Sequence, residues 1–372
     1  MQKMSLKSIS FIILATLLFS CVKKNDGPSV DDNILNYDIE EVPVTENYTV
    51  GAFYYYFATF NPAIPETPVA GKYNMPLGVV PPAVMTSHIA AAATAGLDYF
   101  VFSFRSVSRD LNNFRLDSNV IRSFLNANGT ANMKFALTYN WNAGTYGLAT
   151  TTALETDAVK LEQFFQDFIK VAPFLSNTNC MKVNGKTLLY INNAQTLYSN
   201  NNPAIYTTLR SRLKALGFDL YIVGMQERWS PPARYPFRFK DCVDAIYHQS
   251  FSGLIDNWDR FYLLPQMMDQ NWKYSKKYFT DNYAVDYVPN ISPGYTQKIL
   301  TPTNTNPVYG RTDSGAVYKK LCNVAKMNAS TTTRLILIDS WNDWQLGTQL
   351  EPSTASGDLY LNITRAQFKK PQ

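Results

Sequence analysis

Short apolar runs recur along this chain, and each stops abruptly at polar or aromatic groups. They fall at 48–57, 98–104, 133–141, 187–192, 220–225, 243–249, 287–291 and 334–338. Their length and β-branched content suit strands buried in a parallel sheet. Between most of them lie stretches with helical signals. Residues 82–95 are alanine-rich and stop at Gly96, a favourable helix C-cap, while 118–128 stop at Gly129 and 203–216 at Gly217. Within 156–175, Val159, Phe164, Phe165, Phe168 and Ile169 recur near helical spacing. Residues 258–279 and 314–327 supply later helices. Strands alternating with helices predict an α/β chain folded as a (β/α)8 TIM barrel. An open doubly wound sheet is the alternative, but no glycine-rich phosphate loop follows any strand to support it.

The amino terminus reads as an address. Lys3 and Lys7 precede an apolar stretch over 9–19, too short to span a bilayer, and the stretch ends in Leu18-Phe19-Ser20-Cys21. The order basic, apolar, small, Cys resembles a bacterial lipoprotein processing box. It implies a signal over 1–20 and a lipid on Cys21, which would anchor the protein to the bacterial cell envelope. Residues 21–46 are polar and aperiodic, the signature of a flexible tether, and 47–372 form one domain. Loss of 1–20 removes two lysines and no acid from a formal charge of +5, so too little basic excess remains for a nucleic-acid partner. Cys180, Cys242 and Cys322 match no zinc or redox spacing; either one disulfide with a free thiol or three buried thiols would fit.

In a barrel the residues just past each strand converge on one pocket. Here these are Tyr54 and Tyr55, Arg105, Trp141 and Asn142, Asn192, Glu227, His248, Tyr295, and finally Trp341, Asn342 and Asp343. Amides and Arg can each satisfy several hydroxyls, and Tyr and Trp can stack on sugar faces, so the set suits a polyhydroxylated ligand. His88 and His248 are the only histidines and no His-x3-His spacing occurs, so the set suits neither a metal nor a cofactor. Glycoside cleavage usually needs two carboxyl groups. Asp343 and Glu227 are the pair expected to supply them, although Glu227 could instead pair with a neighbouring arginine such as Arg234.

The segment Trp341-Asn-Asp-Trp-Gln-Leu-Gly-Thr-Gln-Leu-Glu-Pro352 resembles the signature of glycoside hydrolase family 99, its family 71 relatives and the WbsX-like glycosyltransferase group. Gly51-Ala-Phe-Tyr-Tyr, the segment 88–104, Val183-Asn-Gly-Lys-Thr-Leu-Leu-Tyr and Ser292-Pro-Gly-Tyr extend the likeness in the same order. The resemblance implies a glycan-directed barrel acting on an oligosaccharide or polysaccharide, with α-linked glycans the first to test. It also implies two acids three residues apart after the last strand. Asp343 matches the first, and Leu346 stands where the second would be. Three readings follow: a hydrolase that recruits Glu227, a carbohydrate-binding lipoprotein whose catalysis was lost at Leu346, or a glycosyltransferase-like protein, against which the exported address and the lack of a phosphate-binding loop argue.

Overall fold

A computed structural model of the chain describes residues 35–228, 232–249, 263–303, 309, 311 and 313–371. The chain divides into two compact units, 1–38 and 39–372, and the second holds all the strands and helices named below. The expected signal and Cys21 lie outside the described residues. Among the described residues no helix is long and apolar enough to cross a membrane.

The strands are β1 (Thr49–Tyr54), β2 (Tyr99–Phe104), β3 (Lys134–Asn140), β4 (Lys182–Val183), β5 (Lys186–Asn192), β6 (Leu220–Gln226), β7 (Ala245–His248), β8 (Asp286–Tyr287), β9 (Asn290–Ile291) and β10 (Leu335–Ile338). Their order is β8-β7-β6-β5-β3-β2-β1-β10-β9, all parallel, with β4 antiparallel on β5. The strand expected over 287–291 is thus two short pieces. Pro289, which has no N–H, interrupts the ladder between them. β8 pairs with β7 and β9 with β10, while Val288 N donates to Ile246 O at 2.8 Å and Leu337 N to Pro289 O at 2.8 Å. One stretch of chain therefore bridges both edges and closes the ring: the fold is the (β/α)8 barrel. The β4–β5 hairpin turns on Asn184 and Gly185, both at positive φ, as a two-residue type I′ loop requires.

Helices α1 (Pro82–Ala95), α2 (Leu111–Asn128), α3 (Ala158–Lys170), α4 (Ala172–Leu175), α5 (Asn202–Ala215), α6 (Leu264–Tyr283), α7 (Ala316–Asn328) and α8 (Leu359–Phe368) surround the strands. α1 keeps its expected bounds, with Pro82 in its first turn and Gly96 as a left-handed C-cap. The helix expected over 156–175 is broken in two near Val171, where Pro173 opens α4. Of the helix expected over 258–279, residues 258–262 lie outside the described set. The final helix α8 has no counterpart among the expected elements. The end of the expected tether is already tied down: Val42 N donates to Asn323 Oδ1 at 2.8 Å, and Lys326 Nζ donates to Val42 O at 2.5 Å. All three described cysteines are buried free thiols.

Two apolar layers result. One contains only residues from strands and their flanks, among them Phe53, Tyr99, Val101, Leu188, Tyr190, Val223, Tyr247, Leu335 and Leu337, and it fills the barrel interior. The other joins the outward strand residues to Phe124, Phe164, Leu209, Trp272 and Leu361 of the helices. At Gly51 the interior leaves no room: a Cβ there would lie 2.3 Å from the Tyr99 ring. Side chains alternate along each strand, so parity decides which residues past a strand end reach the mouth.

Candidate functional site

The interior columns predict the mouth. Two residues beyond Phe53, Tyr190, Tyr247, Val288 and Leu337 lie Tyr55, Asn192, Gln249, Asn290 and Asp339. All five line one cavity of about 220 Å³, together with Arg228. The Tyr55 hydroxyl donates to Asp339 Oδ1 at 3.0 Å. Asn192 Nδ2 donates to Asn140 Oδ1 at 2.7 Å, and its own Oδ1 accepts from the Tyr247 hydroxyl. Asn290 Nδ2 donates to His248 O at 3.2 Å. Tyr55 is 40% exposed overall, yet desolvation of its hydroxyl and the charges of Asp339 and Asp343 hold the phenol well above its ordinary pKa. It stays a donor.

The loop after β10 carries the second carboxyl. The Asp339–Ser340 peptide is cis, and Asp339 N donates to Ile291 O at 2.7 Å. The chain then doubles back, with Leu350 N on Ser340 O at 2.8 Å and Glu351 N on Trp341 O at 2.7 Å. Asp343 N donates to Ser340 Oγ at 2.7 Å, and Asp343 Oδ1 accepts from Leu346 N at 3.2 Å. The Asp343 carboxyl lines a cavity of about 170 Å³ with Tyr56, Phe57, Phe60 and Trp344. Burial there pushes its pKa up to about 6; the Leu346 and Gln345 amides oppose the rise and the charge of Asp339 assists it. Tyr55 and Leu346 line both cavities and so form their common wall.

Several residues expected at the mouth are placed elsewhere, and parity explains most of them. Tyr54 follows the outward column of β1, is 3% exposed and shares a hydrogen bond of 2.9 Å with His88 Nδ1. Trp341 is fully buried against Phe100 and His88, with ring centroids 5.2 and 5.6 Å away. Trp141 is buried on Tyr146 and Phe164 at 5.1 and 5.8 Å. Neither indole is a sugar platform. Asn342 is buried and works on the backbone: its Oδ1 accepts from Tyr55 N at 2.7 Å and its Nδ2 donates to Tyr55 O at 3.0 Å. That amide takes over the ladder bonds of β1, which is why the strand ends at Tyr54 rather than running to residue 57. Tyr295 is buried and stacked on Tyr309.

Asn142 caps a 3-10 turn by accepting from Gly144 N at 2.8 Å. Arg105 is held bidentate by Asp117 at 2.9 and 2.7 Å. His248 is buried with Nδ1 2.6 Å from the Tyr287 hydroxyl, and desolvation drops its pKa to about 3, so it is neutral at any physiological pH. Glu227 pairs with Arg234 at 3.2 Å, is one-third exposed, and lines neither of the two cavities. Of the expected set, the structure brings Tyr55 and Asn192 to the mouth, with Asp343 across the shared wall. It also brings there Gln249 and Asp339, which the sequence already sets just past strand ends, and adds Asn290; their common signal is the two-residue alternation running out from Tyr247, Leu335 and Val288.

Beneath the loop lies a sealed network. Glu351 is buried, with Oε1 2.9 Å from His88 Nε2 and Oε2 accepting from Tyr73 at 2.9 Å and from Trp344 Nε1 at 2.7 Å. It ties the loop to α1 and to the loop after β1.

Known proteins share this architecture. A solved structure described as "Glycoside hydrolase-like protein" superposes with a TM-score of 0.81 at 29% identity, covering 92% of this chain and 99% of its own. The GH99 endo-alpha-mannosidase from Bacteroides thetaiotaomicron gives a TM-score of 0.60 at 16% identity, covering 86% and 96%. That low identity speaks for the fold alone. The mouse glycoprotein endo-alpha-1,2-mannosidase-like protein is 33% identical over 98 residues, which span 25% of this chain but only 20% of the mouse protein. The family model described as Glycosyltransferase WbsX matches residues 61–364, from the loop after β1 to the last helix, and by that match the chain belongs to the WbsX family.

Proposed function

We propose that this protein is a glycoside hydrolase acting on an α-linked, mannose-containing oligosaccharide or polysaccharide, with Asp343 as the proton donor. The observation that carries the reading is the place of the Asp343 carboxyl, buried in a cavity that shares the Tyr55–Leu346 wall with the amide-lined mouth, where desolvation raises its pKa to about 6. A group titrating there is protonated often enough to donate and ionised often enough to be restored. Asn192, Gln249, Asn290 and Arg228 supply the hydroxyl-directed donors and acceptors a sugar needs. The mannose preference is taken from the printed names of the mouse and Bacteroides relatives. Although the family's name speaks of transfer, no glycine-rich phosphate loop follows any strand to hold a nucleotide-sugar donor.

One observation favours a second reading, a binding protein without turnover: Leu346 stands in the wall beside Asp343, where a carboxylate was expected. Incubation of the purified protein with α-mannan oligosaccharides, reading new reducing ends for the parent and for Asp343→Asn, separates the two. Product from the parent and little from the variant supports hydrolysis. Binding by both with product from neither supports capture. The proposed address is the cell envelope through a lipid on Cys21, and metabolic labelling of the parent but not of Cys21→Ala with a fatty acid tests it.

A further inference from the structure

Resting on the hydrolase reading, we propose that Asp339 is the second working carboxylate, the base that activates water at the barrel mouth. Backbone alternation places it there. Leu335 and Leu337 fill the barrel interior, and Asp339 is the next residue of that column. Its carboxylate borders the cavity of about 220 Å³, and among the described residues no other acid lines that space. The Tyr55 hydroxyl, 3.0 Å from Oδ1, orients it. Its negative charge reaches the phenols of Tyr55, Tyr247 and Tyr309 and the acid of Asp343.

The two carboxyls lie on either side of the wall made by Tyr55 and Leu346. A glycosidic bond laid across that rim has one carboxyl on each side, Asp343 with its pKa raised by burial and Asp339 held by the Tyr55 hydroxyl. Burial suits Asp343 to the acid's part, and the polar, amide-lined mouth leaves Asp339 the base's part. In the step, the Asp343 proton passes to the glycosidic oxygen as its bond to C1 breaks. A water oxygen forms the new bond to C1, and the water proton passes to Asp339. One glycosidic bond and one water become two hydroxyl-bearing products, and solvent exchange returns both acids to their starting states. Glu227, tied to Arg234 and bordering neither cavity, is not placed for this work.

The test uses the full chain with Asp339→Asn, which keeps an acceptor for Tyr55, beside Asp343→Asn, Glu227→Gln and the exposed control Glu162→Gln. Asp339→Asn is expected to lower kcat about 10²- to 10⁴-fold with little change in Tm. Azide, which needs no base, should partly restore turnover in that variant as a glycosyl azide, a result a merely structural role would not produce. Retention of kcat within about threefold by Asp339→Asn, or a larger loss in Glu227→Gln, overturns the assignment. A second arm measures binding of protonated 1-deoxymannojirimycin by calorimetry. If the parent turns over no glycan but Asp339→Asn weakens that binding at least tenfold, the hydrolase reading falls while Asp339 stands as the anionic floor of the site. If Asp339→Asn leaves both turnover and iminosugar affinity unchanged, Asp339 has no role there.

Discussion

Of the carboxylates in the loop after β10, Glu351 and Asp339 sit in opposite settings, and the contrast separates chemistry from architecture. Glu351 is sealed, and three donors from α1, the loop after β1 and its own loop close around it. A buried charge so fully satisfied locks the loop in place and has no face left for a ligand. Asp339 has a similar phenol partner, Tyr55, yet it borders a cavity. Asp343 stands between the two extremes: it is desolvated enough to raise its pKa to about 6, and it is adjacent to open space. The same residue types therefore do different work according to what packs around them.

The largest expected effect falls on the mouth. Asp343→Asn should cut turnover by about 10²- to 10⁴-fold while Tm moves by only a few degrees. A collapse of Tm instead would assign Asp343 to the architecture and erase the contrast. Glu351→Ala should do the reverse. It strands His88, Tyr73 and Trp344 and is expected to cost about 3–5 kcal/mol in chemical denaturation.

A pH series sharpens the difference. Because the folded Asp343 pKa lies above that of the unfolded chain, its contribution to stability is complete below about pH 4 and is lost as pH rises through about 6. The loss is on the order of 2–3 kcal/mol, and Asp343→Asn should abolish it. Turnover should fall about tenfold per pH unit above the same point, as the donor ionises.

A matched pair of hydroxyl deletions gives the smallest effects. Tyr73→Phe removes a buried donor from Glu351 and should cost about 1.5–3 kcal/mol. Tyr55→Phe removes a donor from Asp339 at the exposed mouth; it should cost less than about 1 kcal/mol and show mainly in kcat.

The barrel was legible because buried parallel strands are short continuous apolar runs, and α1 because proline and glycine mark its two ends. The strand over 287–291 was legible as one element, but its break was not. Pro289 is visible in sequence, while the partners on either side that keep the ring closed are not. The site was legible in composition and only partly in membership. Taking every polar residue past a strand end gathered Trp141, Trp341, Tyr54 and Asn342 along with Tyr55 and Asn192, because a residue list carries no direction.

What the sequence determined by itself was the alternation of strand and helix, the sugar-suited set of amides, phenols and carboxylates, and the leucine where a second acid was expected. Local pattern and composition suffice for the first two, and the family resemblance for the third. The tertiary structure decided which face each group leaves from. It buried Glu351 with its three donors, paired Glu227 with Arg234, and brought Asp339 to the cavity. Those outcomes depend on strand register and on partners distant along the chain, and burial then sets which carboxyl keeps its proton.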